Sequence, residues 1–377
     1  MDSWHEPFNM NLIISLGRCT STTSIPWTNS LPLMKATTML STTLQRRSLQ
    51  RSAERRYEAI VTSSRLILFG SGGFAVPSFS AVATDPRFEI VAVVTAPPRE
   101  AGRRGSPRPT PVDVWASDRD LPILHIERVR DAHALAQITP INAEAALLAD
   151  FGQIIPMTLL SHYRCGIINL HPSLLPRHRG ASPIPATILA GDLETGVTTI
   201  LMDQGVDTGP VLAVQRLPLN ATVAAPQLER ELAELAADGV SDTLATWIHG
   251  GGESHPQATV GVTQTHRITR EDGRIGALTP KERALRMWRA YQPWPGIWIE
   301  WPRIGNRIRL DVVGDAEHAA ALPPGSLTVR DKRLLLLLPG GALELERVTP
   351  ANGRSMTGAE FARGRQADLE TRGRIAE

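Results

Sequence analysis

The chain has 377 residues, long enough for two domains with additional segments, and its two cysteines are too few for a disulfide framework or a cysteine-rich metal site. Its hydrophobic content of 42% is ordinary for a globular protein, and no apolar run approaches the roughly 20 residues of a membrane span, which excludes a transmembrane class. The formal net charge of +2 combines an acidic middle (net −6 over residues 65–261) with a basic tail (net +5 over residues 262–377). This distribution is compatible with a catalytic region and a second region that binds a polyanion, or simply with solvated surfaces.

Residues 1–64 have no helical or strand period. They are rich in Ser and Thr, and they end in a cluster of arginines. This composition predicts a disordered extension or, alternatively, a transit peptide. The two cysteines fit a reducing cytoplasm, so we expect a cytoplasmic protein, or an organellar one if the extension is a transit peptide.

Residues 65–248 alternate between short apolar runs and helical patterns. The strand candidates are 65–70, 89–95, 122–126, 145–149, 166–170, 197–202 and 211–215, and the helix candidates include 182–190 and 225–235, with a continuation toward 247. Strands that alternate with helices predict an α/β domain with a mainly parallel, Rossmann-like sheet. In such sheets ligands bind beyond the carboxyl ends of the strands.

The remaining chain changes character. Residues 249–265 form a polar, Gly-containing linker, and a helix is predicted over 280–291, before the segment Pro293-Trp294-Pro295-Gly296, in which Trp294 is interpreted as a packing residue. Strand candidates follow at 298–301, 307–313, 326–330, 333–338 and 342–348. Short strands separated by Gly and Pro turns predict a small β-barrel, OB-like domain over residues 266–377.

The segment NLHPSLLP at 169–176, followed by GVDTG at 205–209, carries the chemistry. Asn169 and His171 are two residues apart, so on a strand their side chains share one face. Asp207 lies in a glycine-bounded turn that can bring its carboxylate to the imidazole. A His assisted by an Asp can act as a general base, and an Asn amide can hold a developing oxyanion, so these three residues are the predicted catalytic set.

These motifs resemble those of the folate-dependent formyltransferase family. The likeness extends over about residues 65–365 and includes FAVP at 74–77 and PWPG at 293–296. Within the family, a basic second domain of this length resembles that of the members that formylate initiator methionyl-tRNA.

The resemblance implies that 10-formyltetrahydrofolate is the co-substrate, that no metal takes part, and that initiator methionyl-tRNA is the partner. It also implies that Asn169 and protonated His171 stabilise the tetrahedral oxyanion while Asp207 orients the imidazole. Two further groups of binding residues are expected, folate-contacting residues Ser173, Leu174, Leu175 and Pro176, and tRNA-contacting candidates Arg103 and Arg104 in a basic loop. A monomer that does not bind membranes is expected.

Other functions remain open from the sequence. The same motifs occur in glycinamide ribonucleotide formyltransferases, sugar-amine formyltransferases and formyltetrahydrofolate hydrolases, which differ in their second domain. The turn Gly70-Ser71-Gly72-Gly73 also matches a dinucleotide-binding pattern, although the second strand ends without the acidic residue that would hold a ribose. A non-catalytic RNA-binding protein with a vestigial formyltransferase domain is a further alternative.

Overall fold

The computed structural model describes residues 63–100, 106–302, 306–317, 322–370 and 374–376. The predicted extension lies outside the described residues except for its last two positions. Within the part of the chain that is described, no helix combines the length and the apolar character needed to cross a bilayer.

Eleven strands precede the C-terminal sheet in the described chain. In order they are β1 (Ser64–Phe69), β2 (Phe88–Thr95), β3 (Arg99–Glu100), β4 (Pro107–Arg108), β5 (Ile123–His125), β6 (Ala145–Leu148), β7 (Ile167–His171), β8 (Arg179–Gly180), β9 (Glu194–Leu201), β10 (Val211–Pro218) and β11 (Gln264–Thr265). Seven of them form one sheet in the order β10-β9-β7-β6-β1-β2-β5. The five strands from β7 to β5 are mutually parallel, whereas β9 is antiparallel to both β7 and β10. The predicted mainly parallel sheet is confirmed.

Helices connect these strands and cover both faces of the sheet. They are α1 (Ala75–Thr84), α2 (Pro111–Ser117), α3 (Ala132–Ile138), α4 (Met157–Leu160), α5 (Pro183–Ala190) and α6 (Ala225–Ile248). Helix α5 ends where Gly191 takes a left-handed conformation (φ 72°), which a residue without Cβ adopts at little cost. The long helix that the Leu- and Ala-rich segment predicts is confirmed as α6.

Strand β1 shows how the apolar pattern builds two core layers. Leu66 and Leu68 pack on the face covered by α1 and α6, while Ile67 and Phe69 pack on the face covered by α3 and α4. All four side chains are fully buried. Because successive side chains of a strand point to opposite faces, a continuous apolar run is what a strand buried on both sides requires.

The C-terminal half is a separate antiparallel sheet. Its strands are β12 (Ile297–Trp301), β13 (Asn306–Ala316), β14 (Leu327–Arg330), β15 (Arg333–Leu338), β16 (Gly341–Pro350) and β17 (Met356–Thr357), with helices α7 (Lys281–Ala290), α8 (Gly358–Gly364) and α9 (Gln366–Glu370). The order is β12-β13-β16-β15-β14, and β17 pairs with β16, which gives a half-barrel and confirms the predicted β-rich second region. The leucine run of β15 is buried on both faces.

The segment between the two halves is not a loose connection. Its strand β11 pairs in parallel with β8, so that Gln264 is opposite Arg179 and Thr265 is opposite Gly180. Gly180 has φ 104°, and a Cβ at that position would overlap the carbonyl oxygen of Thr265. The glycine therefore permits the close approach that fastens this segment to the first half of the chain.

Candidate active site

Asn169 and His171 occupy the last part of β7, and both side chains point to the same face of the sheet. They are 6% and 4% exposed, respectively. Strand β7 lies between β6 and β9, so Asn169 is paired on both sides, while His171 is paired with Thr198 of β9. The period of the strand and its central place in the sheet hold the amide and the imidazole in fixed positions.

Asp207 reaches this pair through the loop after β9. Because β9 runs antiparallel to β7, its end at Leu201 is opposite Ile168, and the loop then brings Asp207 to Asn169. The Asn169 Nδ2 group donates to Asp207 Oδ1 at 3.4 Å, and the backbone N–H of Gly180 donates to Asp207 Oδ2 at 2.7 Å. The same Oδ2 atom is 3.6 Å from His171 Nδ1. The three predicted catalytic residues are thus in one cluster.

The GVDTG sequence has a local physical basis. Asp207 itself has φ 52°, the left-handed conformation that Asp tolerates better than most residues. The hydroxyl of Thr208 donates to Asp203 Oδ1 at 2.6 Å, and a Cβ on Gly205 would overlap that hydroxyl. A Cβ on Gly209 would overlap the carbonyl oxygen of Leu201. The two glycines therefore allow the tight loop that presents the carboxylate.

The hydrogen bonds of His171 define its proton positions. Its Nε2 atom lies 2.9 Å from the carbonyl oxygen of His178, which can only accept, so Nε2 carries a proton. Burial lowers the pKa of His171, and the neighbouring Asp207 counters this only in part. The ring is therefore neutral at pH 7, which differs from the protonated His171 that the family resemblance implies. Its Nδ1 lone pair is directed at the region of the Asp207 carboxylate.

His178 is a second buried histidine that supports the first. It is 6% exposed and has φ 57°, and its Nε2 donates to Asp192 Oδ2 at 2.7 Å. The other oxygen of Asp192 accepts from Arg177 Nη2 at 2.5 Å. The backbone N–H of His178 donates to Thr263 Oγ1 at 2.8 Å. These bonds fix the carbonyl oxygen that accepts from His171.

The predicted linker contributes residues that the sequence did not single out. Gln257 Nε2 donates to the carbonyl oxygens of Asp207 (2.8 Å) and Gly209 (2.9 Å), and its Oε1 accepts from Arg179. Thr265 Oγ1 accepts from the backbone N–H of Ser182 at 3.0 Å. Nothing in the local pattern of residues 249–265 marks them as site residues, because their role comes from distant partners.

A cavity of about 530 Å³ opens onto the cluster, and we call it the Asn–His–Asp cavity after Asn169, His171 and Asp207, which line it. Its volume is in the range of small-molecule sites. Trp294 also lines this cavity and is 56% exposed, so its interpretation as a packing residue was wrong. A sequence reading cannot distinguish a Trp packed between prolines from one that borders a cavity.

One wall of the Asn–His–Asp cavity is acidic. Asp150 and Glu229 both line it, and desolvation by the surrounding protein raises the pKa of both carboxyl groups. Asp150 raises the pKa of Glu229 further through its charge. The environment of this wall therefore disfavours the ionised form of both carboxyl groups.

The segment of Ser173, Leu174, Leu175 and Pro176 does not line the Asn–His–Asp cavity. Ser173 is fully buried, and its Oγ donates to the carbonyl oxygen of Arg177 at 2.7 Å. The backbone of the segment is held by Thr198, whose Oγ1 donates to the Ser173 carbonyl oxygen and accepts from the Leu175 N–H. These hydrogen bonds hold the backbone of the segment in place beside β9. Arg103 and Arg104 lie outside the described residues.

The glycine turn after β1 is not arranged to cradle phosphates. The backbone N–H groups of Ser71 and Gly72 both donate to the carbonyl oxygen of Asp150, at 3.0 and 3.2 Å. Dinucleotide sites use free N–H groups of such turns to bind pyrophosphate. Because two of these donors are already engaged, the dinucleotide alternative loses its structural basis. In the described residues, no group of three or more potential metal ligands converges.

Comparison with known proteins agrees with the geometry. Residues 64–244 match the family described as formyl transferase, and residues 267–366 match the formyl transferase C-terminal domain. The methionyl-tRNA formyltransferase of Roseiflexus castenholzii is 38% identical over 302 residues, which cover 80% of this chain and 96% of that protein. The enzyme of the same name from Roseiflexus sp. (strain RS-1) is 36% identical over 300 residues, which cover 80% of this chain and 92% of that protein.

Solved structures show the same fold. An N-formyltransferase from Helicobacter canadensis, in complex with folinic acid and dTDP-3-aminofucose, has a TM-score of 0.56 at 15% identity and covers 75% of this chain and 98% of its own. At this identity the likeness concerns the fold alone. The family matches over both halves and the identity to whole relatives confirm the resemblance drawn from the motifs. The chain belongs to the formyltransferase family, among the methionyl-tRNA formyltransferases.

Proposed function

We propose that the Asn–His–Asp cavity is the site where a formyl group passes from 10-formyltetrahydrofolate to the α-amino group of initiator methionyl-tRNA. The observation that carries this proposal is the convergence of Asn169, His171 and Asp207 at the wall of one cavity. Acyl transfer to an amine needs a donor for the developing oxyanion and an acceptor for the proton of the amine. The cluster offers one of each.

Asn169 supplies the oxyanion donor. Its Nδ2 group carries two protons, and within the described part of the chain it has one long hydrogen bond, of 3.4 Å to Asp207. The other N–H can donate to the formyl oxygen. This bond strengthens as the carbonyl becomes a tetrahedral alkoxide, so it lowers the barrier rather than only holding the ground state.

His171 moves the proton. The nitrogen of the neutral amine bonds to the formyl carbon, and the C=O π electrons pass to oxygen. The ammonium of this intermediate then gives a proton to His171 Nδ1, whose lone pair is free. Asp207, 3.6 Å away, stabilises the imidazolium that forms. The oxyanion then re-forms the C=O bond as the bond between the formyl carbon and N10 breaks. His171 Nδ1 passes the proton that it took from the amine to N10, and tetrahydrofolate leaves.

The placement of the other binding residues belongs to the proposal. We propose that Ser173, Leu174, Leu175 and Pro176 contribute to folate binding, and that Arg103 and Arg104 contact the tRNA. We also propose a cytoplasmic monomer, an extension over residues 1–64, a catalytic domain over residues 65–248, a linker over residues 249–265 and a tRNA-binding domain over residues 266–377. The basic charge of that last region supports the RNA-binding role.

The deciding experiment is the mobility of initiator methionyl-tRNA on an acid gel after incubation with the protein and 10-formyltetrahydrofolate. We expect a shift to the formylated species. Release of formate without this product would indicate a hydrolase, and transfer to glycinamide ribonucleotide or to an amino sugar would indicate a different acceptor. Either result would overturn the proposed substrate while retaining the site.

A further inference from the structure

The main chain of Asp207 has little support of its own. Asp207 lies in the loop that joins β9 to β10, outside both strands. Among the residues that the structure describes, its main chain forms one hydrogen bond, in which the carbonyl oxygen accepts from Gln257 Nε2 at 2.8 Å. Its φ of 52° is a costly conformation that persists where the surroundings hold it. The main-chain position of Asp207 therefore depends on Gln257.

Gln257 uses its whole side-chain amide in this contact. The two N–H groups of Nε2 donate to the carbonyl oxygens of Asp207 and Gly209, at 2.8 and 2.9 Å. Its Oε1 atom accepts from Nε and Nη2 of Arg179, at 3.0 and 2.6 Å. A guanidinium group can only donate and a carbonyl oxygen can only accept, so these partners also fix which end of the amide faces the loop.

Arg179 closes a ring of hydrogen bonds around Asp207. The next residue, Gly180, donates its backbone N–H to Asp207 Oδ2 at 2.7 Å. Strand β8 therefore holds the carboxylate of Asp207 directly, and it holds the carbonyl oxygen of the same residue through Gln257. The Oδ2 atom is also the one that lies 3.6 Å from His171 Nδ1. A shift of the Asp207 main chain would change the distance between the carboxylate and the imidazole.

The loop of Asp207 has a cavity on each of two sides. Asp207 lines the Asn–His–Asp cavity, whereas Thr208 and Pro210 line a different cavity of about 520 Å³, together with Gln257 and Arg179. Water in this cavity could solvate the two carbonyl oxygens if the amide of Gln257 were removed. We therefore expect a truncated Gln257 to leave the fold intact while the loop loses its fixed position.

We propose that Gln257 is a positioning residue, which holds the main chain of Asp207 so that the carboxylate faces His171 and thereby sets kcat. Gln257 does not line the Asn–His–Asp cavity, so it acts on the reaction through Asp207. The inference rests on the proposed function, which gives Asp207 its role. The competing role is purely structural, namely attachment of the segment before β11 to the first half of the chain. Structural support acts on stability in every variant alike, whereas positioning needs the Asp207 carboxylate.

The first test is steady-state formylation of methionyl-tRNA. Gln257→Ala should lower kcat by about tenfold and leave the KM of both substrates unchanged. Gln257→Glu keeps the shape and the acceptor for Arg179 but loses both donors, so its kcat should be no higher. Gln215→Ala is the matched control, because Gln215 is also half-buried and donates to a backbone carbonyl, that of Leu235, at 2.7 Å. It should leave kcat as in the wild type.

A double-mutant cycle with Asp207→Asn separates positioning from structural support. In the Asp207→Asn background the charge that Gln257 positions is absent, so Gln257→Ala should lower kcat at most about twofold further. A full tenfold loss in both backgrounds would overturn the inference, and so would an unchanged kcat in the single variant Gln257→Ala. A raised KM with an unchanged kcat would make Gln257 a binding residue and overturn it as well.

The titration of His171 gives a readout that needs no turnover. The charge of Asp207 raises the pKa of His171, so Gln257→Ala should lower this pKa, as Asp207→Asn should, while Gln215→Ala leaves it unchanged. Proton NMR measures it, with the imidazole signal assigned by its loss in His171→Gln. If methionyl-tRNA were not formylated, the proposed function would fail, and this titration would still decide the role of Gln257. An unchanged pKa in Gln257→Ala would overturn the inference alone.

Discussion

The Asn–His–Asp cavity shares one wall, residues 151–154, with a second cavity, and the polar groups of the two cavities are held in different ways. The second cavity is lined by five arginines: Arg99, Arg108, Arg128, Arg130 and Arg267. In the first, the imidazole and the amide are almost fully buried and each has hydrogen-bond partners within the protein. In the second, the guanidinium groups are exposed and form no ion pair with any residue that the structure describes. Preorganised, desolvated groups act on a transition state, whereas exposed unpaired charges attract and orient a ligand. The comparison predicts that substitutions in the first cavity lower kcat and those in the second raise KM.

The largest expected effect is that of Asp207→Asn. The amide keeps the size of the side chain but cannot stabilise an imidazolium at His171, so we expect kcat to fall by about 10³-fold. Single-turnover formylation of methionyl-tRNA measures it, with folate affinity and the circular dichroism spectrum as controls. Turnover within tenfold of the wild type would remove Asp207 from the catalytic set.

Asn169→Ala tests the oxyanion donor. Loss of one such donor typically lowers kcat by about 10²–10³-fold, and the KM for both substrates should change little because the bond strengthens only in the transition state. Steady-state kinetics with each substrate varied in turn measure both constants. A raised KM with unchanged kcat would instead make Asn169 a ground-state binding residue and weaken the contrast between the two cavities.

His178→Gln and Asp192→Asn test whether the residues that hold the hydrogen-bond acceptor of His171 also affect kcat. Both substitutions break the bond that fixes the carbonyl oxygen facing His171. We expect each to lower kcat by about tenfold through misplacement of the imidazole. Because the two residues act through the same bond, the double variant should be no slower than the worse single variant. Additive losses would indicate two separate roles.

The pH dependence tests the protonation state of His171. Burial lowers its pKa below the ordinary value of 6.5, and the base must be neutral to accept a proton. Activity should therefore be retained as the pH falls to 6.5 and be lost below it. Since Asp207 raises the pKa of His171, the residual activity of Asp207→Asn should persist to lower pH than that of the wild type. A midpoint above 6.5 would contradict this assignment.

The smallest expected effect concerns the stability of the protein and not kcat. Asp150 lies in the Asn–His–Asp cavity, where burial desolvates its carboxyl group. Desolvation raises its pKa above 3.8, so the folded state binds this proton more tightly than the unfolded state does. The free energy of unfolding therefore falls as the pH rises above 3.8. Asp150→Asn should raise the Tm at pH 7 by about 1–2 °C, corresponding to about 0.5 kcal/mol. The gain should vanish at pH 3, and a gain that persists there would refute the electrostatic cause.

Much of the fold was predictable because its signals are local. The apolar runs of β1 and β15 follow the two-residue period of buried strands, and the Leu- and Ala-rich pattern of α6 follows a helical period. Asn169 and His171 were predictable for the same reason, since two positions on one strand share a face. The turn around Asp207 was also predictable, because the glycines that allow its conformation are close to Asp207 in the sequence.

What no local pattern could give were contacts between segments far apart in the chain. Gln257 holds the carbonyl of Asp207 from 50 residues away, and Thr263 holds His178 from 85 residues away. The antiparallel direction of β9 and the gathering of five arginines from separate loops likewise depend on how whole elements pack. The sequence by itself determined which elements form, and it identified Asn169, His171 and Asp207 as the predicted catalytic set. Only the tertiary structure decided how those residues are supported and what adjoins them, because such contacts form when distant segments pack together and leave no period in either one.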